Sequence, residues 1–525
     1  MLRRIGCLGP HVVFLLVASA SSLCAADPMP QPLAERPYFT LFAASIDRLL
    51  AACDVVFSSV ERPDLFESMK DRLKRYRDFA GIEKTKPFGM LSTWDDVAPA
   101  NVVFLPVNEI NQLLKAATFD VVGFHQVSPD RYEIERPGSP YQVLVQKDYS
   151  FFADSVSTIR ALRVTPDQLT RGLRDRYDLA VNLDLLQVPQ PTKAKFVEGL
   201  RAQIEPWLQP QDDEASESAN LRKSLGKLTL DLVERAAIDT KSLTIGVQLD
   251  PKSRLLSVEV VVEAVSKSRL ATGLNSLASH RSDFSSLIQP NVPAGLALNL
   301  PLGGLVEQIL GSTGDPPTKH SRLEAGLQLA GTGMGDLSLI AVLQGPDIAV
   351  LNDAIPQLII KLEKSGQFST VSENFDIHRG IVLHSLTPRE MPSALTQWVG
   401  SDAEIVVGQG KQIVWMGIGQ PSTLLDRLLE AIDLIDETSS TRTAGPLVRA
   451  RFQARKLPEL VASDLLIPNA DPSATREAFS QGDDGFSLTI EPIRDGLKLR
   501  MEAEEGFIRL IGRDWISQID GSKPP

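Results

Sequence analysis

The sequence predicts an α+β protein assembled from repeated βαββα-like units, with mostly antiparallel sheet and helices packed on one face. Three observations carry this expectation. Two hairpins, at residues 242–264 and 486–502, alternate apolar and polar side chains with a period of two. A helical stripe follows each of them. Four strand-then-helix starts, near residues 97, 177, 292 and 447, resemble one another.

In the first hairpin Ile245, Val247 and Leu249 alternate with Thr244, Gly246 and Gln248, and residues 250–253 (DPKS) make the turn. Val258, Val260 and Val262 alternate with Ser257 and Glu259 on the return. Period-two alternation with one polar side marks an antiparallel sheet covered on one side. The helix expected over 268–287 carries Leu270, Leu274 and Leu277 on one stripe. In the second hairpin Phe486, Leu488 and Ile490 lead to Asp495-Gly496, a two-residue turn signal, and Leu497, Leu499 and Met501 return.

The stretch 99–107 (PANVVFLPV) resembles 293–302 (PAGLALNLPL), and 177–183 (YDLAVNL) stands beside 446–452 (PLVRARF) as a second pair of starts. Upstream, residues 27–37 carry four prolines and read as a linker, with helices expected over 39–57 and 65–79. The hairpin 404–418 is apolar on both sides, which predicts burial on both. These elements divide the chain into 1–26, 27–96 with linker and N-terminal helices, and four α+β segments at 97–176, 177–291, 292–440 and 441–525. Segment 177–291 includes an acidic loop at 209–220, and segment 292–440 includes extra hairpins.

Residues 1–26 have the order of a removable signal peptide: Arg3 and Arg4, an apolar centre from Val12 to Ala18, then small residues to Ala25 and Ala26. Leu23 stands where lipidation of Cys24 would need a small residue. No later stretch has the length and purity of a spanning helix, so the expectation is an exported, periplasmic or secreted, soluble chain. Cys53 is then the one thiol of the mature chain, and with Ile46, Leu49 and Leu50 it falls on one helical stripe as core filler. Loss of two arginines takes the net charge from -12 to -14. A mixed, mildly acidic surface argues against nucleic acid as a partner, and 6% aromatic content argues against a stacking platform for sugars.

Chemical motifs reduce to structural readings one by one. Residues 417–422 (GIGQPS) follow a strand and open a helix, but Ser422 stands where a dinucleotide fingerprint needs Gly or Ala, and the strand belongs to a hairpin. Residues 331–335 (GTGMG) lie between alternating strands and have no helix after them to bind phosphate. His378 and His384 flank an Arg379-Gly380 turn, whose register pairs His378 with Ile381 and His384 with Phe375 and so sends the two imidazoles to opposite sides. His125, His280 and His320 are isolated in sequence. Residues 483–485 (DDG) lack the spaced ligands of a calcium loop. Ser224 and Lys227 fit Ser-x-x-Lys without its companion elements, and Asp95 and Asp96 beside Trp94 form an acidic loop edge. The sequence therefore nominates no catalytic, cofactor-binding or metal-ligating residue.

The signal segment, the strands 177–183 and 294–302, and residues 268–274 (SRLATGL) after a hairpin resemble large uncharacterised secreted proteins of planctomycete-type bacteria. That resemblance implies an extracytoplasmic location and brings no activity. The expected function is a non-catalytic structural or binding protein, without cofactor, that contacts an envelope or extracellular protein or polymer. The alternative is an extracytoplasmic hydrolase whose site gathers residues distant in sequence.

Overall fold

The computed structural model describes residues 36–75, 79–94, 99–117, 123–135, 140–208, 226, 230, 234, 236–277, 284–300, 323–333, 335–345, 348–438, 445–457 and 472–519. They fall into two compact units, the first holding 36–271 and 502–519 and the second holding 272–501. The first contains β1 (Phe39–Ala43), α1 (Ile46–Ser59), α2 (Pro63–Arg75), β2 (Phe88–Trp94), β3 (Pro99–Pro106), α3 (Ile110–Ala117), β4 (Phe124–Ser128), β5 (Arg131–Ile134), β6 (Tyr141–Gln146), β7 (Tyr149–Ala153), α4 (Val156–Ala161), α5 (Pro166–Thr170), β8 (Leu179–Asp184), α6 (Gln190–Leu208), β9 (Thr240–Asp250) and β10 (Leu255–Ala264). After α7 (Arg269–Leu277) come β11 (Ala294–Leu300), β12 (Leu323–Ala330), β13 (Ser338–Gln344), α8 (Ile348–Lys364), β14 (Phe368–His378), β15 (Ile381–Pro388), α9 (Ser393–Val399), β16 (Glu404–Gln409), β17 (Ile413–Gly419), α10 (Pro421–Thr438), β18 (Val448–Gln453), α11 (Pro472–Ala478), β19 (Gly485–Ile493), β20 (Gly496–Ala503) and α12 (Glu505–Ile519).

Strand pairing shows what the sequence did not. The first unit's antiparallel sheet runs β4-β5-β6-β7-β3-β2-β1-β8-β9-β10. The second runs β14-β15-β16-β17-β13-β12-β11-β18-β19-β20. Adding ten to every label of the first order yields the second. The mixed α+β class with extensive antiparallel sheet is thus present, organised as two units with one topology. The four starts read from sequence fall on β3, β8, β11 and β18. Of these, β8 and β18 hold equivalent places, whereas β3 corresponds to β13 and β11 to β1.

One expected helix is a strand. Residues 39–43 were assigned to a helix running to 57, yet they form β1 between β2 and β8, with Thr40 opposite Leu91 and Asn182. The helix begins only after Ser45, whose Oγ accepts the Arg48 N–H at 3.1 Å. Pairing with strands 50 and 140 residues away overrides the local helical period. In the hairpin β19–β20 the turn residues are Arg494 and Asp495, one step before the expected Asp495-Gly496, and Asp495 carries φ of 54°.

Each unit has its own core. In the first, Phe42, Leu91, Phe104, Phe151 and Ala180 pack with Ile159 of α4 on one side of the sheet. On the other side Leu113 and Leu114 of α3 cover Tyr132, Val143 and Phe152. The C-terminal α12 belongs to this unit: Ile508 packs with Val55, Val56 and Leu249, and the buried Arg509 donates to the Ser59 carbonyl at 2.9 Å. In the second unit α10 lays Leu424, Leu428, Ile432 and Ile435 on Ile340, Val342, Val406 and Trp415.

Candidate functional site

Cross-strand partners lie on the same side of a sheet, so register sorts side chains into faces. In the first unit Met90, Leu41, Val181, Ile245 and Val260 form one row across β2, β1, β8, β9 and β10. Flanking it are Phe39, Leu183, Leu243 and Val262 on one side and Leu179, Val247 and Val258 on the other. All of these are partly exposed, and Leu179 reaches 40%. The helix α3 is only eight residues, about 12 Å long, and it covers the β3–β7–β6–β5 part of this side.

The second unit repeats the face on the equivalent strands. Leu327, Leu296, Ala450 and Leu488 make its central row across β12, β11, β18 and β19. Leu329, Ala294, Phe452 and Phe486 lie on one side of it, with Ala325, Leu298, Val448 and Ile490 on the other. Each is again partly exposed. Phe452 and Phe486 add a ring contact at 5.2 Å between centroids.

The reverse sides correct a sequence expectation. Alternation in 242–264 suggested that the valine side is covered and the polar side open. In the structure Ser257 and Glu259 are buried, while Ile245 and Val260 are the more open residues. The polar side is closed by Tyr177, whose hydroxyl donates to Glu259 Oε2 at 2.6 Å, where the Arg176 guanidinium also binds at 2.6 Å. Gly246 is required beneath that ring, because a Cβ there would sit 2.3 Å from it. The hairpin 404–418 departs similarly from burial on both sides: Val406 and Trp415 are buried under α10, but Met416 is 39% exposed.

The first unit also has a cleft of about 650 Å³ lined by Ser45, Arg48, Lys86, Asp167, Arg174 and Asp175. Its residues come from distant parts of the sequence, and its cations are already engaged. Arg48 pairs with Asp178 at 2.7 Å, Arg174 with Asp167 at 2.7 Å and Lys86 with Asp148 at 2.8 Å. Asp167 also accepts from the Tyr149 hydroxyl at 3.2 Å. Burial and the Asp167 charge raise the Tyr149 pKa, so its phenol stays protonated. The Lys86 hydrogen bond lowers the Asp148 pKa. The N-terminus of α1 at the cleft spends its first two N–H groups on the Lys84 carbonyl.

The sequence motifs find structural places. Pro421 opens α10 after β17, which pairs antiparallel with β13 and β16. The loop from Gly331 to Leu337 joins β12 to β13 and is fixed by Arg427, which donates to the Asp336 carbonyl and to Ser338 Oγ. The imidazoles of His378 and His384 do lie on opposite sides of the hairpin, His378 Nε2 meeting Asp433 Oδ1 at 2.8 Å. His384 does not face Phe375 in regular register, because the ladder slips between Ser372 and Asp376. There the Asn374 N–H, at φ of 51°, donates to His384 Nδ1 at 3.3 Å. Cys53 is half-buried in α1, and burial raises its thiol pKa. Among the described residues no cluster of three or more His, Cys, Asp or Glu could hold a metal ion. Nor does any described helix have the length and apolarity to cross a membrane. The signal segment, His280, His320, the acidic loop, Asp95, Asp96, Ser224 and Lys227 lie outside the described residues. No known family, curated protein or solved structure matches the chain.

Proposed function

We propose that this chain is an exported, non-catalytic binding protein of the bacterial envelope or extracellular space, and that it receives an apolar partner surface on the sheet faces of its two units. The observation that carries the reading is the paired set of aliphatic rows centred on Val181 and Ile245 in one unit and on Leu296 and Leu488 in the other. Covering such surface stabilises by about 25 cal/mol per Å² removed from water. A contiguous apolar patch of this kind marks an interaction surface. The polar, buried reverse side in the first unit supports the reading, since there the fold spends its closure on Tyr177 and Glu259. The test is affinity capture from native envelope and medium fractions with wild-type protein and with Ile245→Glu and Leu488→Glu variants of unchanged circular dichroism. A species retained by wild type and lost by the variants supports the reading; equal retention overturns it.

The second reading, a hydrolase, is favoured by the cleft that gathers Arg48, Lys86, Asp167 and Arg174 from distant parts of the sequence. Ester, glycoside and peptide turnover abolished by Asp167→Asn would establish it. Its weakness is chemical. A general acid needs a raised carboxyl pKa, and every described carboxyl group displaced from its ordinary value is displaced downward.

A further inference from the structure

The edge strand β14 carries an inference separate from the apolar rows. Among the described strands it pairs only with β15. Its eleven residues contain no Lys, Arg or Pro, and although the ladder slips between Ser372 and Asp376, the stretch Asp376–His378 pairs regularly up to the turn. The equivalent edge of the first unit, β4, has five. Phe375 is 40% and Ile377 66% exposed.

Main-chain geometry says which groups are available. His378 and Ile381 close the two-residue turn Arg379-Gly380, whose φ angles are 51° and 78°. The pair that closes such a turn exchanges its main-chain hydrogen bonds, so the N–H and C=O of the preceding Ile377 point away from β15. Consistently, the Ile377 N–H donates to its neighbour's Asp376 Oδ1 at 2.8 Å, a local partner that an incoming carbonyl could replace. The tip is held in place beforehand: His378 and Arg379 both bind Asp433 of α10, at 2.8 and 3.0 Å. An edge fixed in advance loses little freedom on binding.

We infer that β14 accepts an added strand from a partner polypeptide whose extended segment alternates apolar residues with Lys or Arg. The charge of the edge selects that chemistry. Glu373 and Asp376 are both exposed and are its only acidic residues, with no basic residue between Phe368 and Ile377. Opposite charges across neighbouring strands attract, and like charges repel. A second copy of β14 would set acid against acid, so the same residues that favour a basic strand disfavour self-pairing.

The test uses the full chain and two synthetic peptides, one alternating Val with Lys and one alternating Val with Glu, followed by fluorescence anisotropy. The Val/Lys peptide should bind about threefold more tightly, since the one cross-strand charge pair that a single face can make, at Asp376, changes sign between them. Ile377→Pro removes the outward N–H and should abolish that binding. The double variant Glu373→Lys, Asp376→Lys keeps the main chain and should reverse the preference. Equal binding of both peptides, undiminished binding by Ile377→Pro, or a dimer in sedimentation that Ile377→Pro dissolves would each overturn the inference. Loss of the apolar-row function would leave these outcomes unchanged.

Discussion

The two units hold ten strands in one order, and they fill that frame with different residues. Aromatic rings dominate the first core, where Phe42, Phe104, Phe151 and Tyr149 pack together beneath short helices. Aliphatic side chains around Trp415 fill the second, under the eighteen residues of α10. The crossover from the third strand to the fourth is an eight-residue helix in one unit and a seventeen-residue helix in the other. Pairing order thus tolerates wide change in what covers the sheet. The apolar rows are common to both units, and the long acidic edge β14 has only the short β4 as its counterpart.

The sharpest way to break the comparison is to remove one core at a time. Trp415 is 1% and Phe151 4% exposed, and truncating a buried aromatic to Ala costs about 3–5 kcal/mol. If the units are separate cores, Trp415→Ala and Phe151→Ala should each lower a different denaturant transition. The readout is hydrogen exchange resolved by peptide across both units. A single transition lowered equally by either variant would show that the units unfold together.

The next effect separates the units at one position. Gly246 lies beneath Tyr177, whereas the equivalent residue of β19 is Thr489 and the equivalent of Tyr177 is Pro446. Gly246→Ala should destabilise the first unit by about 1–3 kcal/mol through overpacking, as read by urea melts. Pairing it with Tyr177→Phe leaves the ring in place and should not relieve the cost. Pairing it with Tyr177→Ala removes the ring and should. Failure of that rescue would mean that the strain lies elsewhere.

How far these features were legible depends on what alternation can report. The hairpins at 242–264 and 486–502, the loop after Gly331 and the start of α10 at Pro421 follow from local pattern and turn chemistry, which are properties of adjacent residues. The four starts were equated with one another, and of them only 177–183 and 446–452, on β8 and β18, hold equivalent places in the two strand orders. The equation of 99–107 with 293–302 was misleading, since two apolar strands look alike wherever they sit in a sheet. Strand β1 was hidden for a different reason. Its five residues gain their identity from Leu91 and Asn182, not from their neighbours. Alternation also tells which side chains share a face but never which face is covered, and that is why Ile245 and Val260 were expected inside. The cleft could not be read at all, because Arg48, Lys86 and Asp167 meet only through tertiary packing.

A smaller effect concerns acid. Burial of His384 lowers its pKa, outweighing the Gln409 hydrogen bond and the Glu373 charge that favour the protonated form. The unfolded chain therefore takes up a proton near the ordinary value of 6.5 while the folded chain still resists it. The sign follows: stability is full above that value and declines as pH falls through it toward the lower folded pKa. Urea melts of the second unit should weaken between pH 7 and 5, and His384→Phe should flatten that slope. A slope unchanged by the substitution would remove His384 as its cause.

The smallest effect tests whether the cleft is more than surface. Lys86 and Asp148 form an ion pair at 2.8 Å, with Asp148 at 67% exposure, so solvent screens most of their attraction. Such exposed pairs contribute little, and Lys86→Met should leave the unfolding midpoint essentially unchanged. Asp148 titrates with the same sign as other depressed carboxylates: whatever the pair contributes is present above the ordinary aspartate range and is lost as pH falls below it. Arg48 differs, because its partner Asp178 is largely buried and also accepts the Leu249 N–H at 2.7 Å, tying β8, β9 and α1 together. Arg48→Met leaves that carboxylate without its counter-charge, so it should cost clearly more than Lys86→Met in the same melts. Equal costs would mean that solvent reaches Asp178 as freely as Asp148, and the cleft would then be an open charged surface and not a built pocket.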